Sequence, residues 1–105
     1  MEQSLALTAL SALANETRLE IVRLLVPEGN CGLSAGEIAT HVNATASRLS
    51  FHLNALEQAG LIGSRREGRF QRYSVNHARL GGVIGYLLND CCKAHPDICA
   101  CTTVE

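Results

Sequence analysis

The chain has 105 residues, a formal net charge of −1 at pH 7 and a hydrophobic fraction of 47%. This length is typical of one domain with a modest core, which would gain stability from a second copy, so we expect a homodimer. No apolar stretch approaches the roughly 20 residues that cross a bilayer, and the N-terminus lacks the basic start of a secretory signal. We therefore expect a soluble cytoplasmic protein with no membrane partner.

The charge is distributed unevenly along the chain. Residues 45–79 contain six arginines and two acidic residues, a net charge of +4, so the remaining residues carry −5. A basic segment on an otherwise acidic body is typical of a DNA-binding face. The near-neutral total charge therefore does not argue against a nucleic-acid partner.

Hydrophobic periodicity predicts two helices in the first quarter of the chain, at residues 4–13 and 16–26. Asn15 is placed to cap the second helix, and Pro27 follows its end. We expect the apolar stripe of each helix to face the core. The stripe of the first contains Leu5, Ala6, Ala9, Leu10 and Leu13, and that of the second contains Leu19, Val22, Leu25 and Val26, widened by Ile21 and Leu24.

The next two predicted helices form a helix-turn-helix candidate. Ser34 and Glu37 have the spacing of a capping box, which opens a short helix to about residue 42. After a turn, a longer helix runs from about residue 45 to residue 59, where Gly60 supplies the left-handed residue that ends it. Its predicted buried residues are Leu49, Leu53 and Leu56.

The exposed face of the longer helix carries small polar residues and one arginine near its N-terminus. Such side chains can approach the major groove, where hydroxyls bond base edges or phosphates and an arginine reaches guanine. The candidate DNA-reading residues are Ser47, Arg48 and Ser50, and Phe51 and Asn54 also lie outside. Taken alone, this pattern also fits the solvated face of an ordinary amphipathic helix.

The period then changes to two, which predicts a β-hairpin with strands at residues 61–66 and 69–75 and a turn at residues 67–68. The arginines that bracket the turn are Arg65, Arg66, Arg69 and Arg72. An exposed basic tip can lie along a phosphate backbone or enter the minor groove, although arginines on edge strands also prevent aggregation. Because the hairpin follows a helix-turn-helix directly, we interpret the first three as DNA contacts.

Asn76 is placed to cap a last helix, which is expected to end before Pro96. Its apolar stripe contains Leu80, Val83, Ile84, Leu87 and Leu88. The predicted fold is mainly α-helical with a β-hairpin wing, a winged helix-turn-helix in the order helix, helix, helix, helix, hairpin, helix. We divide the chain into a DNA-binding and dimerisation domain at residues 1–95 and a cysteine-containing tail at residues 96–105.

Three segments carry a specific motif: SRLSFHL at residues 47–53, LEQAGLI at 56–62 and RREGR at 65–69. Together they resemble the core signature of the ArsR/SmtB family of metalloregulatory repressors, and ANETRLEI at 14–21 is similar to that family's second helix. The resemblance implies a winged-helix homodimer that is paired through its first and last helices and binds double-stranded operator DNA. It also places His52 near the DNA, although His52 fits a half-buried packing residue as well.

The last fifteen residues contain four of the five cysteines, which are Cys91, Cys92, Cys99 and Cys101. In a reducing compartment, clustered thiols indicate metal or redox chemistry rather than structural disulfides. Neighbouring residues of a rigid helix point about 100° apart, but a frayed last turn can aim both thiols of the adjacent pair inward. A tail cysteine can then complete a three-sulfur pyramid, which trivalent arsenic or antimony prefers, whereas zinc prefers four ligands. We favour Cys99 over Cys101 as the third ligand, because ordering a longer tail costs more entropy.

Members of this family bind their inducers at different sites. One type senses arsenic through a Cys-x-Cys motif on the third helix, and this motif is absent from residues 33–38 here. Zinc-sensing members use carboxylates and histidines on the last helix, where this chain offers mainly Asp90 and His95. Other members resemble this chain in carrying a cysteine pair on the last helix and a third cysteine downstream. The resemblance therefore implies a repressor induced by As(III), with Sb(III) or methylated As(III) as other inducers.

The cysteines also allow three other interpretations of a protein with this fold. It could be a zinc- or cadmium-responsive repressor, a thiol-redox-responsive repressor, or a constitutive DNA-binding protein whose cysteines only buffer metal. An enzyme is disfavoured, because the sequence has no Cys-x-x-Cys within a βαβ pattern, no nucleotide loop and no general base beside the thiols. Cys31 is distant in sequence from the cluster, and we interpret it as a bystander.

Overall fold

The computed structural model describes residues 1–91 and 96–98. Within these ranges the elements, in chain order, are α1 (Gln3–Leu13), α2 (Glu16–Leu25), a 3-10 helix (Val26–Cys31), β1 (Leu33–Ser34), α3 (Ala35–Ala39), α4 (Ala46–Gln58), β2 (Ile62–Glu67), β3 (Phe70–Val75), α5 (His77–Gly85) and a π-helix (Tyr86–Cys91). The predicted order of four helices, a hairpin and a last helix is confirmed. None of the helices in this part of the chain is long and apolar enough to cross a bilayer.

Side-chain caps fix the starts of four helices. Asn15, Thr45 and Asn76 each accept a hydrogen bond from the backbone N–H three positions further on, at 3.1, 3.3 and 3.1 Å. Ser34 and Glu37 form the predicted capping box, with bonds of 3.2 and 2.9 Å. Each such cap stabilises a helix by about 1 kcal/mol. Thr45 precedes α4 as its cap, so the helix begins one residue later than predicted.

The sheet has three antiparallel strands in the order β1-β3-β2. β1 was not predicted, because two residues are too few to show alternation. The pairing of Glu67 with Phe70 places the hairpin turn at residues 68–69, one residue later than predicted. The reason is the backbone of Gly68, whose φ of 62° suits the first central position of a two-residue turn.

The core lies between the helices and one face of the hairpin. Its largest fully buried side chains are Ile21, Leu25, Ile38, Leu56, Leu61 and Val83. The predicted burial of the three α4 leucines is confirmed. In α2 the buried face is Ile21, Val22 and Leu25, so the predictions for Leu19 and Val26 are wrong. Apolar residues occupy more than one face of α2, and packing against the rest of the protein buries the face opposite Leu19.

The first and last helices expose more apolar surface than predicted. α1 buries Ala6, Ala9 and Ala12, while Leu5 and Leu7 are 41% and 57% exposed. The small alanine face lets α1 pack closely against α2, α4 and α5. Regular α5 ends at Gly85 instead of continuing to the cysteines, and the chain goes on as the π-helix. Glycines in the preceding turn weaken the α-helical geometry.

Candidate nucleic-acid interface

The N-terminal half of α4 presents polar side chains to solvent. Ser47, Arg48 and Ser50 are all exposed, while Leu49 and Leu53 on the other face of the helix are buried. Among residues 1–91 and 96–98, the Arg48 guanidinium has no hydrogen-bond or ion-pair partner. Its five donors are therefore available to a ligand outside the chain. The predicted reading residues thus occupy one accessible surface at the start of α4.

His52 lies on the same helix but is only half-exposed. The Nε–H of Arg18, on α2, donates a 3.1 Å hydrogen bond to Nδ1 of His52. Burial and the positive charges of Arg18 and Arg48 lower the pKa of His52. The imidazole is therefore held in its neutral form near pH 7. The half-buried position anticipated from the sequence is confirmed, together with an intramolecular partner.

Phe51 is exposed to 63%. The guanidinium carbon of Arg18 lies 5.5 Å from the ring centroid, which is a cation–π distance. The Phe51 and His52 rings meet edge to face, with centroids 5.6 Å apart. Sequence reasoning missed Arg18, because an arginine three residues after a helix cap looks like any solvated cation. We call Arg18, Phe51 and His52 the α2–α4 cluster.

The hairpin arginines differ in what they contact within the protein. Arg66 and Arg69 are exposed, and they have no hydrogen-bond or ion-pair partner in the described part of the chain. Arg65 donates to the backbone carbonyl of Asn30 at 2.6 Å and lies 3.4 Å from the Glu67 carboxylate. Its side chain is still 48% exposed. Arg66 and Arg69 are thus the more available cations of the wing.

Arg72 is a structural residue. Its Nε–H donates to the carbonyl oxygen of Cys31, and an Nη2–H donates to that of Gly32, both at 3.0 Å. The guanidinium also lies 3.5 Å from the Glu37 carboxylate. The Ser34 backbone N–H, the Ser34 hydroxyl and Arg72 lower the pKa of Glu37. These contacts tie β3 to the segment that precedes α3.

The predicted inducer site falls mostly outside the described residues. Cys91 is the last residue of the π-helix, whereas Cys92, Cys99 and Cys101 lie outside the described ranges. Within those ranges, no group of three or more His, Cys, Asp or Glu side chains could hold a metal ion. Cys31 is exposed and has a free thiol. The cysteine site and the division at residue 95 stay predictions.

The chain is similar to known regulators of transcription. A family described as "Helix-turn-helix domain" matches residues 13–65. The transcriptional repressor SdpR of Bacillus subtilis is 38% identical over 87 residues, 83% of this chain and 93% of that protein. The transcriptional activator HlyU of Vibrio cholerae is 32% identical over 86% of this chain and 81% of its own length. ArsR of Halobacterium salinarum, whose name assigns it to repression of an arsenical resistance operon, is 39% identical over 63% of this chain and half of that protein.

Solved structures extend the similarity to the fold. An ArsR-like transcriptional regulator from Rhodococcus sp. RHA1 matches with a TM-score of 0.75 and 30% identity, over 92% of this chain and 89% of that one. The homodimeric winged helix-turn-helix DNA-binding domain Mb0332 from Mycobacterium bovis matches with a TM-score of 0.65 and 30% identity, over 88% and 85%. The predicted winged helix-turn-helix fold is thereby confirmed.

Proposed function

The chain belongs to the ArsR family of winged helix-turn-helix transcriptional regulators, and we propose that it is a homodimeric repressor that binds a pseudo-palindromic operator in the cytoplasm. The family consists of DNA-binding regulators rather than enzymes. The observation that carries the proposal is the exposed polar start of α4, together with Arg66 and Arg69 of the wing, which have no hydrogen-bond or ion-pair partner among residues 1–91 and 96–98. A helix of this kind fits the major groove, and cations of this kind fit phosphates.

The two surfaces have different tasks in this proposal. Ser47, Arg48, Ser50 and His52 read base edges, and Arg65, Arg66 and Arg69 contact the flanking backbone. Arg66 and Arg69 are the main phosphate contacts, because their donors are unused within the described residues. Arg65 contributes less, since part of its guanidinium is bound to Asn30.

Dimerisation is supported by the exposed apolar side chains of the first and last helices. Leu5, Leu7 and Ile84 are each exposed by two fifths or more. A second copy would remove this apolar surface from water, which favours association. The homodimeric state given for the Mycobacterium bovis neighbour supports the same assembly.

DNA binding can be tested by comparing arginines on α4 and on the wing. Arg66→Ala and Arg69→Ala should each make the negative slope of log K against log salt shallower by about 2, because a dimer loses two phosphate contacts worth roughly 0.9 each. Arg48→Ala should reduce discrimination between operator and mismatched duplexes, by about 1–3 kcal/mol per protomer. Fluorescence anisotropy over a salt series, with an operator selected from a random duplex library, measures both effects.

Arg23→Ala is the matched control, because Arg23 is an exposed arginine of α2 outside both surfaces. It should leave the salt slope and the discrimination almost unchanged. Unchanged slopes for both wing variants would contradict the role given to the wing. A slope change in Arg23→Ala equal to theirs would show that net charge alone sets the binding.

For the inducer, we propose As(III), or Sb(III) and methylated As(III), held by the thiolates of Cys91, Cys92 and Cys99, with Cys101 as the alternative third ligand. The support is the concentration of four thiols within the last fifteen residues and the similarity to a Halobacterium salinarum protein named for an arsenical resistance operon. Three thiolates satisfy a soft pyramidal ion, and binding would favour a dimer spacing that no longer fits successive major grooves.

The inducer proposal is tested by serine substitutions. Cys91→Ser and Cys92→Ser should each keep operator binding yet lose release by arsenite. Shifting a dimer from 99% to 1% competent for DNA binding needs about 5.5 kcal/mol of differential affinity, and the two remaining thiolates would bind the ion too weakly to supply it. Cys31→Ser, which removes an exposed thiol elsewhere, should respond like the parent. X-ray absorption of the arsenite complex should count three sulfur ligands.

Other outcomes would identify the alternatives. Release by Zn(II) or Cd(II) with four ligands would favour a divalent-metal sensor, and release by a mild oxidant that dithiothreitol reverses would favour a thiol-redox sensor. Release of DNA by arsenite from a variant lacking both Cys91 and Cys92 would contradict the C-terminal site.

A further inference from the structure

The α2–α4 cluster joins two helices at an exposed part of the surface. Arg18 is 34 residues away from His52 in the chain, yet its Nε lies 3.1 Å from Nδ1 of that ring. The same guanidinium stands over the exposed Phe51 ring. One side chain of α2 therefore contacts two consecutive aromatic residues of the helix that the proposed function places in the major groove.

The hydrogen bond decides where the imidazole carries its proton. An arginine guanidinium has donors and no acceptor, so Nδ1 of His52 must be unprotonated to receive the Arg18 Nε–H. A neutral ring then carries its proton on Nε2. Among residues 1–91 and 96–98, Nε2 of His52 has no hydrogen-bond partner. His52 thus offers one N–H donor and no acceptor to a ligand outside the chain.

Phe51 offers the complementary apolar contact. Its ring lies under the Arg18 guanidinium and against the edge of His52, contacts that favour this orientation of the ring. In the major groove, purine N7 and O6 and thymine O4 accept hydrogen bonds, and the thymine methyl group is the apolar feature. An N–H donor beside an exposed phenyl ring matches a base acceptor beside a thymine methyl.

We propose that Arg18 is a positioning residue of the DNA interface, which holds His52 as an Nε2–H donor and Phe51 as an apolar contact, so that this pair of residues selects a base acceptor next to a thymine methyl. The inference rests on the proposed function, because it assumes that α4 enters the major groove. Arg18 itself need not touch DNA. It acts through the ring orientation and tautomer of its neighbours.

Arginine suits this position better than lysine. Its planar guanidinium can stack on the phenyl ring and donate in its own plane to the imidazole, whereas an ammonium group makes a point contact. Arg18→Lys therefore keeps the charge but loses the combined geometry. Arg18→Gln removes the charge as well. Arg23→Gln is the matched control, because it removes an exposed arginine of the same helix outside the cluster.

The first measurement is nitrogen-detected NMR of the His52 ring in the DNA-free dimer. The parent and Arg23→Gln should show the Nε2–H tautomer. Arg18→Gln should show a mixture of tautomers and a raised His52 pKa, because the charge of Arg18 is lost and Arg48 on α4 is then the remaining cation that acts on the ring. A role of Arg18 in stability alone would not move the tautomer.

The second measurement is anisotropy with base-substituted operators. Replacing the contacted thymine by uracil, or the contacted purine by its 7-deaza analogue, should weaken parent binding about 5-fold or more. Arg18→Gln and Arg18→Lys should lose most of this discrimination while keeping the parent's salt slope. Should Arg18→Gln fail to fold, Arg18→Lys carries the discrimination measurement, because it keeps the charge but loses the combined stacking and in-plane donation.

The outcomes separate this inference from the proposed function. Sequence-specific binding with unchanged tautomer and discrimination in both Arg18 variants would overturn the role of Arg18 and leave the repressor proposal intact. A parent protein that binds no DNA sequence preferentially would overturn both. An altered tautomer with unchanged discrimination would also overturn the inference, because His52 would then read no base.

Discussion

Arg69 and Arg72 carry the same charge three positions apart on the hairpin, yet the structure gives them different surroundings. Arg72 is bound to the backbone of the segment before α3, whereas Arg69 has no partner within the described residues. Arg72→Ala is therefore expected to destabilise the fold, and Arg69→Ala is expected to weaken DNA binding. The two substitutions remove similar side chains and equal charge, so each controls for the other.

The magnitude follows from the contacts of Arg72. Its two hydrogen bonds to carbonyl oxygens, both 3.0 Å long, involve a charged donor. Such bonds contribute about 1.5–3 kcal/mol each. The ion pair with Glu37, whose side chain is 51% exposed, adds less than about 1 kcal/mol. Because neighbouring contributions overlap, we expect a loss of about 3 kcal/mol for Arg72→Ala and a change within about 0.5 kcal/mol for Arg69→Ala.

Urea denaturation followed by circular dichroism, at one protein concentration because the protein is proposed to dimerise, gives both stabilities. Anisotropy below the unfolding transition gives the two salt slopes. Equal denaturation midpoints for the two variants would refute the reasoning. So would an Arg72→Ala variant that folds like the parent but loses salt slope, since Arg72 would then be a phosphate contact.

Two further predictions concern backbone strain and pH. Gly32→Ala should destabilise the protein clearly more than Gly68→Ala in the same denaturation assay: both glycines have φ near 60°, but a Cβ at Gly32 would overlap the carbonyl oxygen of Tyr73, whereas Gly68 faces open space. The backbone strain of an alanine at positive φ, which both variants share, is about 1–2 kcal/mol. Equal losses in the free energy of unfolding would show that β1 can shift away from Tyr73 without cost. For His52, burial and two arginines lower the native pKa below the unfolded value of about 6.5. The native state then binds fewer protons, so the stabilisation is complete above pH 6.5 and decreases as the pH falls toward the native pKa. Urea midpoints between pH 7.5 and 5.5 should therefore decrease more in the parent than in His52→Gln, and parallel curves would contradict the pKa shift.

The features that could be predicted from the sequence are local. A cap such as Asn15 or Ser34 contacts a backbone N–H only three residues away, so its signal lies within one turn of helix. The buried leucines of α4 recur at helical spacing, and Gly60 ends that helix with a φ of 76°. These signals were sufficient to predict an exposed polar face at the start of α4, because none of them depends on a tertiary contact.

The features that escaped prediction depend on residues far apart in the chain. Arg65 and Arg72 bind carbonyl oxygens 34 to 41 residues earlier in the chain. Arg18 binds His52 across 34 residues. The sequence shows how many arginines the wing has. It does not show which of them bind backbone carbonyl oxygens and which are available to a ligand outside the chain. The same limit applies to α1, where the helical period allowed leucines or alanines to face the core and close packing selected the alanines.

Long-range contacts connect the two surfaces that we propose to face DNA. Near its N-terminus α2 carries Arg18, which binds His52 of α4. The 3-10 segment that follows α2 is kinked at Gly29. Beyond the kink, the carbonyl oxygens of Asn30 and Cys31 accept hydrogen bonds from Arg65 and Arg72 of the hairpin. These hydrogen bonds connect α4 to α2, and the wing to the segment that follows α2, so a movement of α4 relative to the wing within one protomer would have to break some of them. We therefore expect an inducer to change the spacing between the two protomers' reading helices rather than the distance between helix and wing within a protomer.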